Sequence, residues 1–480
     1  MSVIEIDETA VDADLTEIAR DAIWSAWSRR SKAKLNLTIL RRYAEGEAGI
    51  PDVAEGANDE LRALAKQSVI NMCGVVVDTF DAGLSVTGFR SPSSSDDDEA
   101  WRLWQDNGMD ARQTECHREV LTLGEAFVSV LPDDERDGQP SFAVWSKLDA
   151  LVEFDDPRRD TFPRSAVLFR RVDDPELGRG WSLLLVDDTT VTPGFIPEKK
   201  RRASGAVEGI KAVDIVPMGA AWAHGATFKG RPVCPVVRFQ NERPAEDRPP
   251  RGEVEPLKKA QQALNAVNFD RLVVSRFGAF AQKVIIGWTA TADAVARMSS
   301  ANALTFEDHP DDIRVQQLPG SPLSPYNELI GEIKEQIALQ ASIPLYTATG
   351  NLTNVSAETT AMVENAHQRK LERKRELLGE SWETVLRLAV AMEGLPEPDV
   401  AAEMVWRETQ ARAFGAVVDG ITKLAAIPPE QVGVLVELLD LIPGMTQQKI
   451  DAVRGAVTRQ QGSGVMLDAL RRLVPNADAV

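Results

Sequence analysis

Cysteine is scarce in this sequence: 480 residues contain three, at Cys73, Cys116 and Cys234. Far apart, odd in number and without a CxxC pair, they exclude a disulfide scaffold and point to buried thiols in a reducing compartment. Histidine is nearly as scarce, with His117, His224, His309 and His367 scattered along the chain. Only Cys116 and His117 are adjacent, and neighbours on a helix do not face each other, so no zinc-ligand spacing exists and no metal is expected. No apolar run approaches the roughly 18 residues of a membrane-spanning helix. The first residues, MSVIEIDETAVDADLTEIARDA, carry acids where a secretory signal needs basic and apolar residues. These absences lead to the expectation of a soluble chain, intracellular when made, with no membrane partner.

Basic charge is also short: 54 Lys and Arg against 73 Asp and Glu leave a formal charge of −19. A protein that grips DNA shows a basic footprint, and this one has none overall. An acidic surface for solubility explains the balance, as does a protein that meets DNA without holding it. Phosphate-loop, HExxH and GxSxG motifs are missing, which argues against the corresponding ATPase and hydrolase chemistry. Pairs such as Asp155–Asp156, Asp187–Asp188 and Asp311–Asp312 arise by chance among so many acids. No catalytic group, cofactor site or metal site is expected.

What is present is helical spacing broken by one β-rich stretch. Hydrophobic residues make up 43% and charged residues 26%, as in an ordinary globular chain. Residues 15–46 have broken helical spacing, and 59–86 place Leu61, Leu64, Ala65, Val69 and Met72 on one helical stripe interrupted only by Ser68, with a turn or strand in LSVTGFR after it. Ser91–Ala100 is an acidic loop leading into a helix; its oxygens suggest calcium, but the loop spacing for that ion is lacking. Trp101–Gly124 reads as one helix, followed by a strand in AFVSVLPD and short β-like runs to about Val237. Lys199–Arg202 reads as a solvated basic loop, and Asn241–Pro256 as a proline-rich hinge.

Pro256 is placed to open a helix of about 23 residues, with Leu257, Ala260, Leu264, Val267 and Val274 on one face. A strand, a short helix and a returning strand follow. Ser324–Pro325 opens a second helix, which must stop before Ser342-Ile343-Pro344. LYTATGNLTN reads as an uncharged loop and Ser356 as an N-cap of the longest helix, Ala357 to about Met392. The middle of that helix, ENAHQRKLERKREL, is so polar that it is expected to lie exposed or to meet other subunits. Residues from Trp406 to Val480 read as helical again.

This order of elements resembles the portal proteins of tailed bacteriophages, most closely the branch found in phages of actinobacteria. The resemblance runs through Asn71–Phe80 with Gly88-Phe89-Arg90, through Trp104–Val130, through Glu255–Gly287 and, most specifically, through Ile337–Ala389. It covers roughly residues 20 to 430. Thr122-Leu123-Gly124 lacks the tyrosine common before that glycine, and beyond Ala426 only helical character matches. The resemblance implies an α+β, predominantly α-helical portal-type fold with wing, stem, clip and crown regions. A wing would span 1–250, a first stem helix 251–278, a clip 279–322 and a second stem helix 323–343. A tunnel loop would occupy 344–355, a long wing helix with its return 356–405, and a helical crown 406–480.

The implied function is a structural portal, or head–tail connector, at one capsid vertex. A homo-oligomeric ring of about twelve copies would pass double-stranded DNA during packaging and ejection without specific binding. The large terminase, the major capsid or scaffold protein and a head-completion adaptor would be its partners in the virion. Thr347, Thr349, Asn351, Thr353 and Asn354 would face the DNA from the tunnel loop, and Lys283, Arg314 and Gln316 would face the motor from the clip. Another head–tail connector or helical assembly protein is the competing reading.

Overall fold

The computed structural model describes residues 17–90, 97–198, 211–245, 248–278, 283–286, 314–317, 322–350 and 357–407. The expectations for the acidic loop's first residues, for Lys199–Arg202, for Ser356, for the short helix after residue 287 and for the tail after 407 lie outside them. The chain divides into two compact units, one of 1–38, 77–252 and 368–480, the other of 39–76 and 253–367.

The first unit is α+β. Its larger sheet is antiparallel: β4 (Ala150–Glu153), β5 (Ser165–Asp174), β6 (Gly178–Val186), β7 (Thr190–Pro197) and β8 (Val216–Pro217) in that order, with β9 (Trp222–Ala223) beside β7. The first half of β5, Ala166–Phe169, is apolar without alternation because both sides of it are covered. Val167 and Phe169 pack with Ile23 and Ala26 of α1 (Glu17–Ala44), while Ala166 and Leu168 pack with Phe127, Cys234 and Val236. Trp27 sets its ring edge-on to Phe169 and Trp181, with centroids 5.6 and 4.9 Å away. A smaller sheet orders β12 (Val236–Gln240), β2 (Glu125–Asp133) and β3 (Gln139–Ser146), all antiparallel. Strand β7 escapes the sequence pattern because Pro193 interrupts it, and proline argues against an interior strand.

Two expected helices are each split in two by polar side chains. Residues 101–124 become α4 (Asp97–Asp106) and α5 (Met109–Leu123). At the break, Asn107 donates to the carbonyls of Leu103 and Pro140 and accepts from the amide of Phe142, and Gly108 takes φ +62°. In the second unit, the stripe over 59–86 becomes α2 (Asp59–Gln67) and α3 (Met72–Gly83), the latter continuing into the first unit. Ser68 ends α2, its hydroxyl donating to the Ala65 carbonyl at 2.8 Å. Asn71 caps α3 by accepting from the Gly74 amide at 2.8 Å.

The longest helix, α9 (Ala357–Glu393), has the expected extent of about 55 Å at 1.5 Å per residue. Its polar middle is only in part the free face expected: Glu364, Arg369, Glu372, Arg373 and Glu376 are exposed, but its other side is packed. Lys370 and Lys374 lie over the Phe80 ring at 5.0 and 5.1 Å, and Lys374, almost fully buried, donates to Asn241 Oδ1. Arg375 donates to the carbonyls of Gly83 and Arg407, both at 2.8 Å. Aliphatic stems and charge-satisfying acceptors let this basic stretch pack inside its own chain. Trp406, expected to begin a helical tail, instead ends β15 (Glu403–Trp406), which pairs antiparallel with β1 (Val86–Arg90).

Candidate functional site

The second unit is built on two long helices. Helix α6 (Val254–Gly278) begins two residues before Pro256, which sits in the first turn where its missing N–H costs nothing. It packs against α7 (Ser324–Ala341), with Gln340 donating to the Pro256 carbonyl near one end and Arg271 to Asn327 Oδ1 at 3.0 Å near the other. These contacts make the pair antiparallel. Ile330, Ile333, Ile337 and Ala341 supply the buried face of α7.

On α6 the expected apolar face is only part of what is buried. Gln261, Asn265 and Asn268 stand at i, i+4 and i+7 and are all buried. Each reads the backbone of the α2–α3 break. Gln261 accepts from the amides of Met72 and Cys73 and donates to the Ile70 carbonyl. Asn265 accepts from Ile70 and donates to Gly49, and Asn268 donates to the Ser68 carbonyl at 2.7 Å. This ladder satisfies the N-terminus of α3, whose first amides have no helical partner. Cys73, beside it, is buried and its thiol is pushed up to about 12 by that burial.

Helix α7 ends where proline requires. Ser342 takes φ +59°, and the amides of Ser342 and Ile343 return to the carbonyls of Leu339 and Ala338. His367 of α9 donates through Nδ1 to the Ser342 carbonyl at 3.1 Å. The next residues correct the expected loop: Leu345–Thr349 forms one helical turn, α8, closed by Gly350 at φ +71°. Ala348 is its buried contact, so Thr347 is left exposed, and the Thr349 hydroxyl turns back to the Leu345 carbonyl at 3.0 Å. Burial, with Glu364 as a second cause, raises the Tyr346 phenol. Asn351, Thr353 and Asn354 lie outside the described residues.

Between α6 and α7 in sequence stand β13 (Lys283–Ile286) and β14 (Arg314–Gln317), paired antiparallel with Lys283 opposite Gln317, Val284 opposite Gln316 and Ile286 opposite Arg314. The three residues expected at the terminase end therefore share one β-ribbon.

The polar centres of the first unit are structural. Burial alone would raise the Glu125 carboxyl, but Lys147 at 2.8 Å and Arg238 at 2.7 Å outweigh it and hold it below the usual range. His117 is fully buried and lowered to about 4 by that burial. Its Nε2 accepts from Trp382 Nε1 at 3.0 Å, which leaves Nδ1 to donate to the Leu84 carbonyl. Among the described residues no three His, Cys, Asp or Glu gather as metal ligands.

Comparison with known proteins supplies the context. The family described as "Phage portal protein, SPP1 Gp6-like" matches residues 27–176 and 222–434. The portal protein of Mycobacterium phage D29 is 24% identical over 429 residues, covering 85% of this chain and 82% of that protein. The portal protein of Mycobacterium phage L5 is 23% identical over 424 residues, with the same coverage. Among solved structures, a chain in the neck of an empty gene transfer agent particle is similar at TM-score 0.45 and 12% identity, covering 79% of this chain and 94% of that one. A chain from the neck of the native particle, determined with C12 symmetry, is similar at TM-score 0.45 and 12% identity over 83% and 93%.

Proposed function

The chain belongs to the SPP1 Gp6-like phage portal protein family, and from that premise we propose that it forms a ring of about twelve copies at one capsid vertex, through which double-stranded DNA is packaged and ejected. It is a structural head–tail connector, in a family that is structural and not enzymatic. The observation that carries this reading is the family match across most of the chain, including the α6–α7 pair and α9.

The finer assignments follow the chemistry. Thr347, Thr349, Asn351, Thr353 and Asn354 carry no charge, so they can border moving DNA without holding its phosphates. Lys283, Arg314 and Gln316 offer cations and an amide to the large terminase and then to the head-completion adaptor. The capsid or scaffold protein would surround the ring in the virion. DNA slides because a chain of charge −19 repels phosphate. Heads assembled without this chain should fail to package DNA; packaging at ordinary levels in its absence would overturn the proposal.

A further inference from the structure

The two long helices of the second unit each leave one face uncovered. On α7, Glu328, Glu332, Glu335 and Leu339 are exposed. At 100° per residue they lie opposite the buried Ile330, Ile333 and Ile337. Leu339 keeps 62% of its surface and Leu329, nearer the start of the helix, 43%, which is wasteful for leucines unless something covers them. On α6, Lys259, Gln262, Ala263 and Ala266 are exposed on the side away from the buried Leu257, Gln261, Leu264 and Asn268, with Lys258 half-buried at its margin.

The two helices carry opposite charge. Helix α6 has Lys258, Lys259, Arg271 and Arg276 against Glu255 and Asp270, a balance of +2. Helix α7 has Glu328, Glu332 and Glu335 against Lys334, a balance of −2. Among the described residues Arg276 pairs with Glu60, whereas Lys258, Lys259, Glu328, Glu332 and Glu335 form no ion pair. Opposite faces on one rigid helix pair suit a head-to-tail contact, in which one face of a copy meets the other face of the next. Small alanines allow a neighbouring helix to come close, and leucines fill the grooves that they leave. The geometry points to docking of the Glu328, Glu332, Glu335 and Leu339 face of α7 on the Lys258, Lys259, Ala263 and Ala266 face of α6 in a second copy of this chain. This contact rests on the ring reading above and names the surfaces that would build it. Charge matching selects the register and the correct partner.

Two full-length single variants, Ala263→Cys and Leu339→Cys, test the contact when mixed, assembled and oxidised; the native thiols are all buried. A disulfide-linked dimer should appear in the mixture and in neither variant alone. Rings without that dimer, or a dimer within one variant, would overturn the contact and leave the ring standing. The charge swap gives an independent reading. Lys258→Glu with Lys259→Glu should lower ring yield about tenfold at low salt, and adding Glu332→Lys with Glu335→Lys should restore it. An unchanged yield, or no rescue, counts against the contact. If the natural chain forms no ring, the functional reading fails first and the contact falls with it.

Discussion

His117 shows how much one buried ring can decide. Both its nitrogens are used, Nε2 accepting from Trp382 and Nδ1 donating to Leu84, so only the neutral form fits. Its folded value of about 4 lies below the ordinary 6.5. As pH falls through 6.5 the unfolded chain takes up a proton that the folded chain refuses, so stability drops between pH 6.5 and 4 by up to about 3 kcal/mol. His117→Gln removes that titration. The urea midpoint of the variant should fall less than that of the natural chain between pH 7 and pH 5; equal falls would refute the assignment. Gln261 makes the same point on α6. Gln261→Leu would strand the Cys73 amide and leave the Met72 amide and the Ile70 carbonyl only their bond to each other, at a cost of roughly 1–3 kcal/mol. Chemical denaturation of the full chain measures it. The sequence displays Gln261, Asn265 and Asn268 at helical spacing, yet polar residues on a helix ordinarily face water. Only the position of the α2–α3 break reveals that they face inward.

At the scale of the element, what could be read depended on which signal ended a helix. Proline and periodicity stopped α7 at Ala341 and delimited α9 to within a residue or two. The break at Asn107 is hidden, because its side chain reaches a partner elsewhere in the chain, and Ser68 shows as an interruption of the stripe without showing that α2 ends there. Neither residue breaks a helix by itself. The turn α8 was masked by its Thr, Gly and Asn content, which suits loops. Gly124 is a different case. It ends α5 at φ +91°, and a Cβ there would lie 2.2 Å from the Pro250 carbonyl oxygen. Gly124→Ala should therefore destabilise the first unit by more than the roughly 1 kcal/mol of an ordinary left-handed glycine. A melting temperature within a degree of the natural chain would contradict the close approach. For the segment after α7, deleting part of 347–354 should impair DNA packaging or retention more than ring assembly. Lys283→Glu or Arg314→Glu should weaken docking of the packaging motor. Packaging and docking at natural levels in these variants would remove the roles proposed for the tunnel segment and the β-ribbon.

Across the whole molecule, the resemblance drawn from motif order and the family match agree, while no single side chain announces the function. The portal reading asks two things of a subunit, repulsion of phosphate and distinct surfaces for its neighbours. The charge of −19 per copy predicts that the assembly does not retain duplex DNA at about 0.15 M salt. Retention in a gel-shift titration would argue for a binding role instead. Negative-stain microscopy of the purified full-length protein tests the central claim most directly. The account predicts closed rings of about twelve copies with a central channel wide enough for duplex DNA; monomers or dimers alone at every salt concentration tried would contradict it.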